Sequence, residues 1–151
     1  MIDVDTIHDA ESLVVLSAQE REQLAMLMTD ARFRSGEMVL QQDRRAPAAY
    51  MLLGGALHVE RKVEEHALTG RIEIGEWFGV ASLCDGRKVT AAVHALTDVR
   101  LAALGRGDFE GLLGRDDGLG ARLLRAWLRS LSFQLARVNE ALVALRGFQG
   151  S

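Results

Sequence analysis

At 151 residues, with 48% apolar and 26% charged side chains, the chain has the size and composition of one globular domain around a single core, not of a disordered or fibrous segment. Its net charge of −3 argues against the broad basic footprint of a nucleic-acid binder. The lone cysteine, Cys84, excludes an internal disulfide, no apolar run approaches the ~18 residues of a membrane span, and the acidic start MIDVDTIHDAESL lacks the basic and apolar regions of a secretory signal; the expectation is a cytoplasmic protein with no membrane segment.

Met1 to Leu16 reads as a lead-in whose one clear apolar segment, SLVVL, packs on the core. Ser17 followed by Glu20 forms a capping box, and Leu24, Leu27 and Met28 recur at helical spacing, which predicts a helix from about Ser17 to Asp30. From Phe33 to Leu104 the pattern changes to short β-type segments: MVLQ, AYMLL, ALHVER, RIEI, TAAVHAL and DVRLAAL. Turn residues separate them, in SGE, GG, TG, IGE, CDGRK and TD. In ALHVER the alternation sets Leu57, Val59 and Arg61 on one face and His58 and Glu60 on the other. Many short strands in series predict a sandwich or barrel.

GDFEGLLG then predicts a short helix, and a longer one starts near RDDGLG and runs to about Leu145. Along it Leu124, Leu128, Leu131, Leu135, Val138, Leu142 and Leu145 alternate spacings of 4 and 3, a heptad seam with Trp127 on its flank. Two readings fit: the seam lies on the domain's own core, or it pairs with the same helix of a second copy. There is no internal repeat or low-complexity run, and Pro47 is the only proline.

Enzymatic constellations are missing. His8, His58, His66 and His94 have no metal-ligand spacing with Cys84, and nothing local activates that thiol beside Asp85 and Gly86. G-x-S-x-G, Walker A and G-x-G-x-x-G do not occur. The expectation is a non-enzymatic protein without a metal.

The stretch FRSGEMVLQQDRRAPAAYMLLGGALHVE sets Gly36, Glu37, Gln41, Asp43, Tyr50 and Gly55 in an order that, with IGEWFGVASL and TDVRLAALGRGDFEGLL after it, resembles the cyclic-nucleotide-binding domain family. That family includes bacterial catabolite activators, regulatory subunits of cAMP-dependent kinases and cyclic-nucleotide-gated channels. The likeness runs from Leu16 to about Asn139. It implies an α+β fold: a mostly antiparallel β-roll, or jelly roll, flanked by an N-terminal helix and by a short and a long C-terminal helix. The corresponding division is a lead-in over 1–16, the cyclic-nucleotide-binding-like domain over 17–115, the long helix over 116–146 and a tail over 147–151.

The resemblance further implies a phosphate cassette at Phe78, Gly79, Val80, Ala81 and Ser82, completed by Arg87, Val89, Thr90 and Ala91. A helix start and a close-approaching glycine suit an anion there, and Ser82 would be a phosphate ligand before it was a nucleophile. Gly79, Thr90 and Ala91 match the family. Val80 stands where the family has the glutamate that accepts the ribose hydroxyl, and Val89 where it has the arginine that holds the phosphate. Each loss costs about 1.5–3 kcal/mol, together roughly a hundredfold to ten-thousandfold in affinity. Arg87, two residues before Val89 and on the same side of an extended chain, is the candidate substitute. Val138 and Asn139 on the long helix are the candidate base contacts, with Asn139 beside the seam.

The resemblance therefore implies a regulatory module with a degenerate pocket, acting through another protein and forming a homodimer, with GDFEGLL and the heptad helix as moving parts. Two alternatives stand: a genuine sensor of cAMP, cGMP or a cyclic dinucleotide, and a structural adaptor whose pocket is filled by its own Val and Leu side chains. Bacterial relatives add a helix-turn-helix after the long helix; with the sequence ending at Ser151, no DNA-binding module is expected.

Overall fold

The computed structural model describes residues 1–7 and 10–149; His8, and Gly150 and Ser151 of the predicted tail, lie outside them. Two 3-10 turns, Val4–Thr6 and Glu11–Leu13, precede α1 (Ala18–Leu27). The strands follow as β1 (Thr29–Phe33), β2 (Met38–Leu40), β3 (Ala48–Gly54), β4 (Leu57–Val63), β5 (His66–Arg71) and β6 (Trp77–Phe78). A short α2 (Val80–Asp85) leads to β7 (Ala92–Ala95) and β8 (Val99–Gly105), then α3 (Arg106–Leu113) and α4 (Leu119–Gln149). The strands form two antiparallel four-stranded sheets, ordered β1-β8-β3-β6 and β2-β7-β4-β5, the β-roll that the resemblance implies.

The central strands of one sheet, β3 and β8, are buried on both faces, and period-two alternation divides their side chains between two cores. Ala49 and Met51 of β3, with Ala102 and Leu104 of β8, face the helices and meet Leu13, Leu24, Phe109 and Trp127. Tyr50, Leu52, Leu101 and Ala103 face the inside of the roll and meet Leu40, Phe78 and Val93. This explains why AYMLL and LAAL read as unbroken apolar runs: neither face of these strands meets water.

The capping box is present, with Glu20 N donating to Ser17 Oγ at 3.1 Å and Ser17 N to Glu20 Oε1 at 3.0 Å. The helix stops at Leu27, short of the predicted Asp30, because Met28 is extended and Thr29–Phe33 pair in register with β8. RIEI is also corrected: only Arg71 of it is in a strand, while Ile72 and Glu73 lead into a turn at Ile74 and Gly75. SLVVL does pack inward through Ser12, Leu13 and Leu16, although Val14 is exposed.

The long helix resolves the two readings of its seam as far as its own domain goes. The side that packs inward carries Leu119, Leu123, Ala126, Trp127 and Ser130, all buried. Trp127 sits between Phe109 at 5.0 Å and Trp77 at 5.4 Å, ring centroid to centroid. Gly120 allows the approach to α3: a Cβ there would lie 2.8 Å from Leu112 O. The heptad seam is a different stripe. Leu124 is half-buried, but Leu128 and Leu135 are 64% and 59% exposed, and Leu131, Val138, Leu142 and Leu145 are exposed as well. The helix is thus laid on its own domain's core, but by another stripe than the seam, of which Leu124 alone packs there; the residue taken as a flank, Trp127, is the anchor.

Candidate functional site: a cassette at the open edge of the roll

β6 is only two residues long and hydrogen-bonds β3, with Tyr50 opposite Phe78 and Met51 opposite Trp77. Tyr50 and Phe78 stack at 5.3 Å. The chain then turns sharply at Gly79, φ +78°, where a Cβ would lie 2.9 Å from Ala48 O; only glycine meets both demands. α2 follows and ends at Gly86, φ +74°, whose N–H returns to Ser82 O. Arg87 to Ala91 run back toward β7. All nine residues predicted for the cassette, Phe78 to Ser82, Arg87, and Val89 to Ala91, line one cleft of about 440 Å³.

The two valines are drawn into the protein's cores. Val80 is 3% exposed and joins the helix-side cluster with Trp77 and Leu83. Val89 is half-buried and packs on the cluster inside the roll. Its backbone is held on both sides, its N–H donating to Arg44 O at 2.7 Å and its carbonyl accepting from Asp43 N at 2.8 Å. The cleft floor, Leu40, Ile72, Phe78 and Val93, is buried apolar surface. An anion placed on that floor would lose hydration with no buried cation to replace it, since the cleft's cations, Arg71, Arg87 and Lys88, are exposed.

The polar candidates are engaged elsewhere. Ser82 is buried, and its Oγ accepts from Ala46 N at 2.9 Å. Arg106, which sequence reasoning missed, donates through Nη2 to both Ala46 O and Ser82 O at 3.2 Å, tying α2 to the preceding loop. Arg87 is 76% exposed in its side chain and pairs with Asp85, Nε to Oδ2 at 2.6 Å. Thr90 is exposed at the rim and Ala91 half-buried. Cys84 is exposed, yet partial burial and the Asp85 charge push its thiol above the usual range. Among the described residues no group of three or more His, Cys, Asp or Glu could hold a metal ion.

α4 grips the free edge of β6 from above. Ser130 Oγ accepts from Trp77 N at 3.0 Å, and Gln134 Nε2 donates to Trp77 O at 2.9 Å. One turn on, Arg137 makes two bonds to the Glu76 carboxylate, at 2.6 and 2.7 Å, which hold its guanidinium more firmly protonated than usual. Side chains at i and i+4 thus satisfy the backbone groups that an edge strand leaves open, and the one at i+7 holds the side chain of the residue before the strand. Leu131 and Gln134 are the α4 residues at the cleft. Val138 and Asn139, the predicted base contacts, are exposed further along and do not line it. The missed signal was the polar series Ser130, Gln134, Arg137 running beside the seam.

The family model for the cyclic nucleotide-binding domain matches residues 31–116. A cAMP-dependent protein kinase regulatory subunit of Debaryomyces hansenii is 27% identical over 110 residues, 73% of this chain and 24% of that protein, so the chain spans about a quarter of that relative's length. A cyclic nucleotide-binding domain from Methylobacillus flagellatus superposes with a TM-score of 0.81 at 18% identity, covering 93% of this chain and 80% of that one. A regulatory subunit of a cAMP-independent protein kinase A from Trypanosoma cruzi, bound to guanosine, superposes with a TM-score of 0.67 at 24% identity, covering 74% and 40%. With the match covering more than half of its length, the roll, the cassette and the two C-terminal helices all in place, this chain belongs to the cyclic nucleotide-binding domain family.

Proposed function

We propose that this chain is a non-enzymatic regulatory module of the cytoplasm whose interior phosphate site is lost and which acts by protein–protein contact, first of all with a second copy of itself. The family is a regulatory, ligand-binding one rather than a catalytic one. The observation that carries the proposal is the exposed apolar seam of α4, six residues long from Leu128 to Leu145. Its flanking residues Ser132, Gln134, Asn139 and Ala141 carry no charge, so a second helix meets no like-charge repulsion along the central turns. The burial of Val80 and Val89 supports the loss of the phosphate site. In this reading residues 17–115 are the sensing or docking domain and 116–146 the pairing helix. α3 and α4 transmit any change, through the grip of α4 on Glu76 and Trp77.

Light scattering tests the pairing: a dimer is expected, reduced to monomer by Leu135→Asp or Leu142→Asp without loss of the folded domain. A parent protein that is monomeric at high micromolar concentration would refute it. Calorimetry tests the pocket, with no micromolar binding expected for cAMP, cGMP or a cyclic dinucleotide. The second reading, a genuine cyclic-nucleotide sensor, draws on Gly79, Thr90 and Ala91 standing at the cleft with Arg87. Micromolar cAMP binding abolished by Arg87→Ala would establish it in place of the first.

A further inference from the structure

The corner of chain from Gln41 to Ala46 is pinned on every side. Gln42 makes two bonds to the Lys62 backbone, at 3.0 and 2.9 Å. Asp43 N and Arg44 O both bond Val89. Ala46 N bonds Ser82 Oγ, and Ala46 O accepts from Arg106. Asp43 holds a left-handed φ of +66° within this frame. The result is a rigid antiparallel bridge that sets Arg45 directly opposite Lys88. Because the backbone bond runs between the flanking residues Val89 and Arg44, the two side chains form the close, non-hydrogen-bonded type of cross-strand pair.

Two like charges opposite one another destabilise a sheet unless something of opposite sign lies between them. Both side chains are exposed, and among the described residues neither has an ion-pair partner, whereas neighbouring Arg87 has Asp85. Lys88 and Arg87 also line the cleft mouth. In a chain of net charge −3, this corner has four cations, Arg44, Arg45, Arg87 and Lys88, against Asp43 and Asp85. Arg87 and Lys88 line the cleft and Arg45 stands across the bridge from Lys88, while Val80 and Val89 occupy the positions where the family has its polar ligands.

The geometry points to a binding site for a terminal phosphate group at the mouth of the cleft, held by Arg45 and Lys88 and flanked by Arg87, with the rest of the ligand laid over the apolar cleft. This rests on the reading that the interior phosphate site is lost. A terminal phosphate carries close to two charges near neutral pH and keeps part of its hydration at an exposed site. A cyclic diester carries one charge and, seated inside the roll, needs the buried cation that Val89 has replaced. Rim cations on a fixed backbone therefore select a phosphate monoester or pyrophosphate over a cyclic nucleotide.

Calorimetry at constant ionic strength, with 5′-GMP, 5′-AMP, pyrophosphate, inorganic phosphate, guanosine and cAMP, tests this. A 5′-monophosphate or pyrophosphate is expected to bind at least about tenfold more tightly than guanosine or cAMP, and Arg45→Glu and Lys88→Glu each to weaken it about tenfold or more at a melting temperature no lower than the parent's, since each reversal turns the like-charge pair into an opposite one. Inorganic phosphate binding as tightly as the nucleotides, and with the same dependence on Arg45 and Lys88, supports the site and identifies free phosphate as its source. Sulfate titrated under the same conditions and binding as tightly as the 5′-monophosphates, or affinity indifferent to both charge reversals, overturns the site. Silence from every ligand overturns it while leaving the loss of the interior site standing. Micromolar cAMP binding that survives Lys88→Glu overturns both.

Discussion

Replacing Arg137 by alanine is the sharpest test of how α4 is held. Glu76 is 8% exposed, and its carboxylate accepts two bonds from Arg137 and one from Glu73 N at 2.7 Å. Removing the guanidinium leaves a buried carboxylate with one backbone donor. It also leaves Glu11, Glu73, Glu76 and Glu140 around one cleft of about 390 Å³ without the cation that lines it among the described residues. Stripping one partner from a fully buried pair costs about 3–5 kcal/mol, and an exposed pair contributes up to about 1 kcal/mol. Arg137 is 30% exposed in its side chain and the cleft admits water to Glu76, which places the expected loss at ~2 kcal/mol, a fall of roughly 4–8 °C in melting temperature for a chain of this length. Scanning calorimetry measures it, and amide exchange at Trp77, whose N–H donates to Ser130, reports whether α4 has lifted from β6. The double variant Glu76→Gln with Arg137→Ala removes the stranded charge along with its partner, and is expected to melt above Arg137→Ala alone. A single variant that melts like the parent, or a double variant that loses the sum of the two single losses, would refute the argument that this pair clamps the helix.

Four further outcomes follow from other parts of the molecule. Gly79→Ala should destabilise by about 1–3 kcal/mol, because the left-handed φ and the nearness of Ala48 O both oppose a Cβ; chemical denaturation reads it, and an unchanged midpoint would contradict the geometry. Trp127→Ala should cost about 3–5 kcal/mol, since the ring fills the space between Phe109 and Trp77. Cys84, although exposed, should alkylate slowly at neutral pH and react faster only toward alkaline pH, because burial and Asp85 hold the thiol neutral; rapid labelling at pH 7 would contradict this. Burial raises the Glu20 pKa, but the bonds from Ser17 and Arg122 outweigh it and leave the carboxyl below its ordinary 4.5. A depressed folded pKa gives stability that is fully present above the unfolded value and is lost as pH falls through the folded one. The melting temperature should therefore fall below about pH 4.5, and less steeply in Glu20→Gln.

The fold was legible where local chemistry and burial agree. The capping box of α1 is written in Ser17 and Glu20, and the roll's two-sided central strands in AYMLL and LAAL. β6 escaped because two residues carry no periodicity; Trp77 and Phe78 become a strand only by pairing with β3. RIEI misled because its alternation is real while Ile72 is buried from irregular chain just past the end of β5 rather than from a ladder. At the site, the positions of Gly79, Val80 and Val89 could be read from order along the chain. What Val80 and Val89 pack against depends on which core each one faces. That is fixed by the turn at Gly79 and by the corner at Arg44, neither of which has a sequence signature. The Arg45–Lys88 pair escaped for the same reason: residues 43 apart meet because the bonds of Gln42, Val89 and Ser82 hold the corner in place.

The two valines change what the cassette is able to do. Val80 packs with the helices and Val89 with the inside of the roll, so the segment from Gly79 to Ala91 joins two hydrophobic cores. α2 lies between them, bonded through Ser82 to the corner at Ala46, while the strand before it is held by Ser130, Gln134 and Arg137 of α4. A ligand can move α4 only if it binds the two helix positions with different affinity. A ligand seated inside the roll would have to displace packed valine to do so. A ligand at the rim would act through Arg45, Lys88 and the Ala46–Ser82–Arg106 bonds without opening either core. If this domain still switches, the signal enters at the corner and leaves through the grip on β6, and variants at Arg106, which touch neither the rim cations nor α4, should uncouple the two. Arg106→Ala is expected to leave the affinity of the rim for a 5′-monophosphate within about threefold, while abolishing any ligand-induced change in exchange at Trp77. Retention of that change would place the route elsewhere.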